Sequence, residues 1–302
     1  MLELVSPTLV GNCPFAGEEK AQWLRKTAEL GSAQALAFLA TLYNDGEDGV
    51  PQNKAEAAKW LQKLEESGDV EAMEQFAATS EGNDKIEWRR KAAERGSASA
   101  IAELAALFWK GDEEKGIRAD KAEAEKWLKK LEESGNGEAT RDFVWSAELE
   151  GRERIDWLLK AAERGSASAF SDLADVYEEG EEGVVESSAE EAEKWLFKLE
   201  KSRDGKAMMD RADMVDALNN REEALQWFIK AAENGSRAAM KELVIRYSLG
   251  NGVKKDEKEA ERWRNQLEST PIRNAEDDCS GGLMARITDL VPAKALVERK
   301  KN

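Results

Sequence analysis

The sequence predicts an all-α protein, a right-handed α/α superhelical solenoid of about seven helix-turn-helix repeats. The ten residues 91–100 recur letter for letter at 160–169, and degenerate copies lie at 26–35 and 230–239. Self-similarity at a fixed period is typical of repeat solenoids. Two interleaved series of tryptophans follow the same period, with spacings of 65–70 and 67–68 residues: Trp23, Trp88, Trp157 and Trp227, then Trp60, Trp127, Trp195 and Trp263.

The pattern divides the chain into three segments. Residues 1–16 contain two prolines and a glycine and are predicted to be irregular. Residues 17–268 are predicted to form the solenoid, as a leading helix followed by seven helical pairs. Residues 269–302 begin with a polar linker, after which apolar residues at helical spacing predict a C-terminal capping helix over the last repeat.

Each repeat can be read as two helices joined by tight turns. Glycine followed by a capping residue, as in Gly96-Ser97, ends one helix and starts the next. The helix after each junction, helix A, follows an Ala-x-x-x-Leu-Ala-x-Leu-Tyr template, and helix B carries a tryptophan. Because apolar residues at helical spacing share one face, the in-register tryptophans, including Trp127, are predicted to be buried core.

Composition and charge exclude several classes of function. The chain has 45 basic and 62 acidic residues and a formal charge of −17, without the basic surface that nucleic-acid binding requires. Two interpretations of the charge stay open: a solvated surface, or an acidic groove for a basic partner. There is no histidine and no glycine-rich phosphate loop. We therefore predict no enzymatic activity, no cofactor and no metal site.

Two further predictions concern the thiols and the location of the protein. Cys13 and Cys279 lie near opposite ends of an extended array, so both are predicted to be free thiols. The first residues lack a basic region and a long apolar run, and no segment is long and apolar enough to insert into a membrane. A cytoplasmic location is expected, or a periplasmic one if the sequence is a processed mature form.

The first and last long repeats share a set of template, loop and tryptophan positions. These are Ala35, Leu39, Tyr43, Gly46, Gly49, Val50, Ala57 and Trp60 in the first, and Tyr247, Gly250, Gly252, Val253, Ala260 and Trp263 in the last. With these residues the repeats resemble the Sel-one-like repeat family, relatives of the tetratricopeptide repeat. The chain departs from that family after the template leucine, where the family's glycine is replaced by alanine or valine, and it lacks the cysteine pairs of some secreted members. The resemblance implies a scaffold for protein–protein contacts.

The resemblance and the residues together predict a non-catalytic scaffold or adaptor that binds a partner protein in its concave groove. An alternative is an immunity protein that neutralises a secreted bacterial toxin, for example a phospholipase. Trp109 and Trp145 are out of register, so each is either local packing or an exposed aromatic anchor. Such an anchor beside carboxylates would suit an apolar segment flanked by basic residues. The candidate partner-binding residues are Trp109, Trp145, Phe38, Glu103, Asp172, Asp175, Glu179 and Glu242.

Overall fold

The computed structural model describes residues 16–47, 49–112 and 117–271. Fifteen helices lie within these residues, as expected for one leading helix and seven helical pairs, and the predicted all-α repeat fold is confirmed. Nearly all of the predicted N-terminal irregular segment, the predicted capping helix, Cys13 and Cys279 lie outside the described residues. None of the described helices is long and apolar enough to cross a membrane.

The chain forms two compact units, residues 1–169 and 170–302. In the first unit the helices are α1 (Gly17–Glu29), α2 (Ala33–Asp45), α3 (Lys54–Ser67), α4 (Val70–Thr79), α5 (Gly82–Glu94), α6 (Ala98–Lys110), α7 (Lys121–Ser134), α8 (Gly137–Ser146) and α9 (Gly151–Glu163). The helix α10 (Ala167–Glu179) crosses the division, and the second unit continues with α11 (Ala189–Ser202), α12 (Gly205–Ala217), α13 (Arg221–Glu233), α14 (Arg237–Leu249) and α15 (Glu257–Ser269). Even-numbered helices are A helices and odd-numbered helices are B helices.

Local capping starts and stops these helices at the predicted junctions. Before α6, Gly96 has a φ of +94°, a conformation that glycine adopts without steric cost. The next residue, Ser97, accepts a hydrogen bond at its Oγ from the backbone N–H of Ala100, at 2.9 Å. This bond satisfies one of the donors that the first helical turn leaves unpaired. The serine, aspartate and asparagine caps of the other A helices do the same.

The core lies between the A and B helices, at the template positions. The template leucines Leu39, Leu104, Leu173 and Leu243 are completely buried. Trp127 is 5% exposed, so its predicted place in the core is confirmed. Two in-register tryptophans are only partly buried, Trp23 and Trp195. The others are buried: Trp60, Trp88, Trp127, Trp157, Trp227 and Trp263.

A ladder of lysines explains why the Lys-Ala-Ala-Glu sequence recurs. In α9, the ammonium of Lys160 lies 3.9 Å from the ring centroid of Trp157, one turn earlier in the same helix. The same ammonium lies 2.8 Å from a carboxylate oxygen of Glu132 at the end of the preceding B helix. Each lysine therefore covers its own tryptophan and links two consecutive B helices. The arrangement recurs at Lys91 with Trp88 and Glu65, and at Lys230 with Trp227 and Glu200.

One glycine allows two elements to approach unusually closely. A Cβ placed on Gly137, the first residue of α8, would lie 2.8 Å from both the carbonyl oxygen of Ala161 and the backbone nitrogen of Ser166. Because backbone atoms cannot swing aside, only glycine fits this position without a shift. The equivalent Gly205 of α12 is less tight, with its nearest neighbour 3.0 Å away.

Candidate partner-binding surface

All eight candidate residues lie on A helices, and four of them share one repeat position. We use the name A-helix face for one repeat position, the residue three places after the template alanine in each A helix, and apply it to each unit by itself. Five of its seven members are carboxylates, and none is buried. They are Phe38, Gln75, Glu103, Asp142, Asp172, Asp210 and Glu242.

Trp145 is the exposed one of the two out-of-register tryptophans. It lies in the last turn of α8 and leaves 49% of its surface in water. The helix buries Phe143 and Val144 just before it, so the indole projects from the solvent side. The guanidinium of Arg141 lies 5.7 Å from the ring centroid of Trp145. An exposed indole beside an arginine is typical of interface hot spots.

Trp109 instead belongs mainly to the packing between α6 and α8. Its partly buried ring meets Phe143 edge-on, with ring centroids 6.0 Å apart and an interplanar angle of 89°. Phe143 in turn contacts Trp157, at 5.0 Å. Since Trp145 follows Phe143 by two residues, about 200° around the helix, it lies on the opposite side of α8 from Trp109. The structure therefore does not bring the two tryptophans together.

Glu103 borders a cleft between the A helices α4 and α6. The cleft has a volume of about 330 Å³. Arg89, from the intervening helix α5, forms an ion pair with the Glu103 carboxylate. Phe38, on α2, is partly buried. The residues that line the cleft are Glu71, Glu74, Gln75, Ala78, Arg89, Ser99, Ala100 and Glu103.

Asp175 is a structural partner within the second unit and not a free rim charge. It forms an ion pair with Arg211 of α12, whose side chain is only 2% exposed. Arg211 also lies 3.0 Å from Glu178 and 3.7 Å from Glu223. Neutralising Asp175 would leave a buried arginine without one of its partners, and the partner-binding role of Asp175 stays a prediction. Glu179 is exposed at the end of α10, the helix that contains Asp175.

Arg211 is the residue that sequence reasoning missed. The two earlier short repeats have buried phenylalanines at this position, Phe76 and Phe143. Asp175 in turn replaces Ala106 of the preceding long repeat. The signal available in the sequence was a charged residue at a core position, together with an opposite charge at a core-facing position one helix pair away.

A second buried arginine holds Glu242. Arg246 of α14 donates from Nε to Glu242, at 2.8 Å, and from a terminal nitrogen to Asp216 of α12, at 2.6 Å. Its guanidinium also lies 4.4 Å from the ring centroid of Phe228. Glu242 therefore faces an internal partner, as Glu103 and Asp175 do, and the partner-binding role of these carboxylates stays a prediction.

Burial and neighbouring carboxylates raise the pKa values of two aspartates near these arginines. Burial raises the pKa of Asp175 to about 7, although Arg211 acts in the opposite direction. Desolvation and the neighbouring Glu242 raise the pKa of Asp213 to about 6, while Arg246 lowers it. Among the described residues no group of three or more side chains is arranged to hold a metal ion.

Comparisons with known proteins identify the family of the chain. The family model described as Sel1 repeat matches residues 33–69, 98–136, 155–166, 169–199, 208–236 and 239–263, more than half of the chain. No curated protein matches the chain.

Several solved structures are similar to the chain, with low TM-scores. The protective antigen c5321 of uropathogenic Escherichia coli, described as displaying an SLR fold, is 28% identical over 82% of this chain, with a TM-score of 0.37, and the chain spans 56% of that protein. A Sel1 repeat protein from Oxalobacter formigenes is 23% identical, with 84% and 94% of the two chains covered and a TM-score of 0.38. The immunity protein Pa5087 from Pseudomonas aeruginosa is 19% identical, with 67% and 81% covered and a TM-score of 0.41. At these TM-scores the structural similarities carry no argument about function. The family model matches more than half of the length of the chain, and this match shows that the chain belongs to the Sel1 repeat family.

Proposed function

We propose that this protein is a non-catalytic scaffold that binds another protein on the A-helix face of its first unit, with Trp145, one helical turn after Asp142 of that face, as the apolar anchor of the contact. The repeat fold is consistent with protein–protein interaction. The observation that carries the proposal is the exposure of Trp145 at a repeat position that faces solvent in every short repeat. The equivalent residues are Ala78 and Asp213, so the repeat itself does not require an aromatic ring there.

The size of the exposed ring makes it a strong anchor. A tryptophan buries roughly 150–250 Å² when it is covered, and about half of that surface is exposed here. At about 25 cal/mol per Å², covering the rest would contribute about 2–3 kcal/mol to binding. This is the scale of a hot-spot residue.

The charge of the face suggests the chemistry of the partner. Carboxylates are two of the four members of the A-helix face in the first unit and all three members in the second unit. Because several of them already hold internal arginines, their main effect on a partner would be a negative potential that steers a basic surface toward the face. The proposed partner therefore presents an apolar pocket for Trp145 with lysines or arginines around it.

The experiment compares Trp145→Ala with a matched exposed apolar residue. Partners captured by the wild-type protein are identified, purified and titrated against each variant. Trp145→Ala is expected to weaken binding by about tenfold or more and to leave the melting temperature nearly unchanged. Leu30, which follows the last residue of α1 and is 75% exposed, supplies the control variant Leu30→Ala, which should bind normally. Normal binding by Trp145→Ala would remove the anchor from the proposal.

The immunity-protein alternative stays a prediction from the family resemblance. It requires a single toxin as the high-affinity partner. A toxin gene immediately beside the gene for this protein, and protection of cells against that toxin, would favour it over a general adaptor.

A further inference from the structure

The B helix α11 has an apolar residue at the centre of its solvent side. Phe197 is 58% exposed. It follows Trp195 by two residues, and Trp195 turns the other way to stack on Phe170, with ring centroids 6.0 Å apart. The helix buries Ala192 and Leu199 on that inner side. Phe197 therefore lies outside the core of its own helix pair and away from the inner side of α11.

Comparison with the earlier long repeats shows that two outer positions have changed. At the position of Phe197, α3 has Gln62 and α7 has Lys129. One turn later, where both earlier helices have a glutamate, α11 has Lys201. The ammonium of Lys201 lies 5.1 Å from the ring centroid of Phe197. A polar outer turn that ends with a glutamate has thus become an apolar and basic one.

The charges around Phe197 are separated by side. At 100° per residue, Glu193 and Glu200 lie about 40–60° to one side of Phe197, and Lys194 and Lys201 lie about 40–60° to the other. Lys194 and Glu200 form ion pairs within the chain. Glu193 and Lys201 form no ion pair with any residue that the structure describes. Over residues 193–201 the solvent side of α11 thus has an acidic flank, an apolar centre and a basic flank, and the exposed Glu190, one turn earlier, forms an ion pair with Lys194 of the basic flank.

This arrangement is complementary to itself in one orientation. A two-fold axis parallel to the helix places the acidic flank of one α11 against the basic flank of another, with Lys201 beside the partner's Glu200. An antiparallel pair would instead place lysines against lysines and glutamates against glutamates. The helices α3 and α7 have glutamate at both of the positions equivalent to Glu200 and Lys201, so neither offers the same pairing.

We propose that two copies of this protein associate through the solvent side of α11 in a parallel, two-fold symmetric pair with Phe197 at its centre. This surface is distinct from the A-helix face, so the inference goes beyond the proposed scaffold function. A helix of 14 residues is about 21 Å long and makes a small interface. The expected dimer is therefore weak, with a dissociation constant of about micromolar or higher.

Sedimentation of the full chain over a concentration series tests the association. Phe197→Gln and Lys201→Glu restore the residues that α3 has at the same positions, so both variants should fold. Each is expected to weaken association by about tenfold or more. Leu218 is 69% exposed in the same unit, and Leu218→Gln should associate as the wild type does. A wild-type protein that stays monomeric at its highest soluble concentration would overturn the proposal.

A charge exchange tests the orientation. Lys201→Glu places a glutamate beside the partner's Glu200, and Glu200→Lys places a lysine beside the partner's Lys201. Each variant alone should therefore associate poorly. An equimolar mixture should recover association, because each lysine then faces a glutamate. A mixture that fails to associate would overturn the parallel geometry. If loss of the Lys230 contact unfolds Glu200→Lys, the pair Lys194→Glu and Glu193→Lys applies the same test.

A melting curve separates this proposal from coverage of Phe197 within one copy. If Phe197→Gln lowers the melting temperature and leaves the oligomeric state unchanged, a segment of the same chain covers the ring and the dimer is refuted. If it weakens association at an unchanged melting temperature, the second copy is supported.

Discussion

Restoring the apolar pair of the first unit tests why the second unit uses an ion pair in its core. The double variant Asp175→Ala, Arg211→Phe places in the second unit the residues that the first unit has at Ala106 and Phe143. The single variant Arg211→Phe should destabilise the second unit by about 3–5 kcal/mol, because it leaves Asp175 partly buried without its main cation. The double variant removes both charges.

The expected magnitude follows from the contacts in the first unit. Phe76 and Phe143 each meet the tryptophan of the next B helix edge-on, with ring centroids 5.3 and 5.0 Å apart. A phenylalanine at position 211 would be in the equivalent place to meet Trp227, and such an aromatic pair adds about 0.5–1.5 kcal/mol beyond its buried area. Replacing a buried ion pair by well-packed apolar residues is often neutral or stabilising, by about 1–4 kcal/mol. We therefore expect the double variant to equal or exceed the wild type in stability.

Urea unfolding followed by circular dichroism measures the free energies of the four proteins in the cycle. Because repeat arrays can lose two-state behaviour, hydrogen exchange in α10 and α12 should localise the change to the second unit. A double variant as unstable as Arg211→Phe would refute the reasoning. It would mean that the spacing of α10 and α12 differs from that of the first unit and does not accommodate a phenylalanine.

Two further predictions concern protonation and close packing. Burial raises the pKa of Asp175 from 3.8 to about 7, so between these pH values the folded protein keeps a proton that the unfolded chain has released. The contribution of Asp175 to the free energy of unfolding therefore falls as the pH rises through this window. Asp175→Asn should flatten that pH dependence when urea unfolding is measured at a series of pH values. An unchanged slope would exclude Asp175 as the titrating group. Gly137→Ala should cost about 1–3 kcal/mol, because the added Cβ meets backbone atoms of Ala161 and Ser166, and Gly205→Ala should cost less. Equal melting temperatures for the two alanine variants would contradict this order.

Local features of the fold could be predicted from the sequence because they repeat and depend on near neighbours. The cap at Ser97 involves residues three apart, and the buried place of Trp127 follows from helical periodicity alone. Each of these signals recurs several times along the chain, so the pattern could be checked against itself. The family resemblance rested on the same recurring positions.

The roles of the candidate site residues depended on contacts between helices and needed the tertiary structure. Trp109 and Trp145 are both out-of-register tryptophans in the sequence. Only the structure shows that Trp109 packs on the inner side of α8 and that Trp145 projects from the solvent side of that helix. The sequence places Asp175 on one helix face with Asp172 and Glu179, and only the position of Arg211, 36 residues later, makes it an internal partner. Periodicity shows which side of a helix a residue is on, whereas the packing of the next helix determines whether that side meets water, a ring or a buried charge.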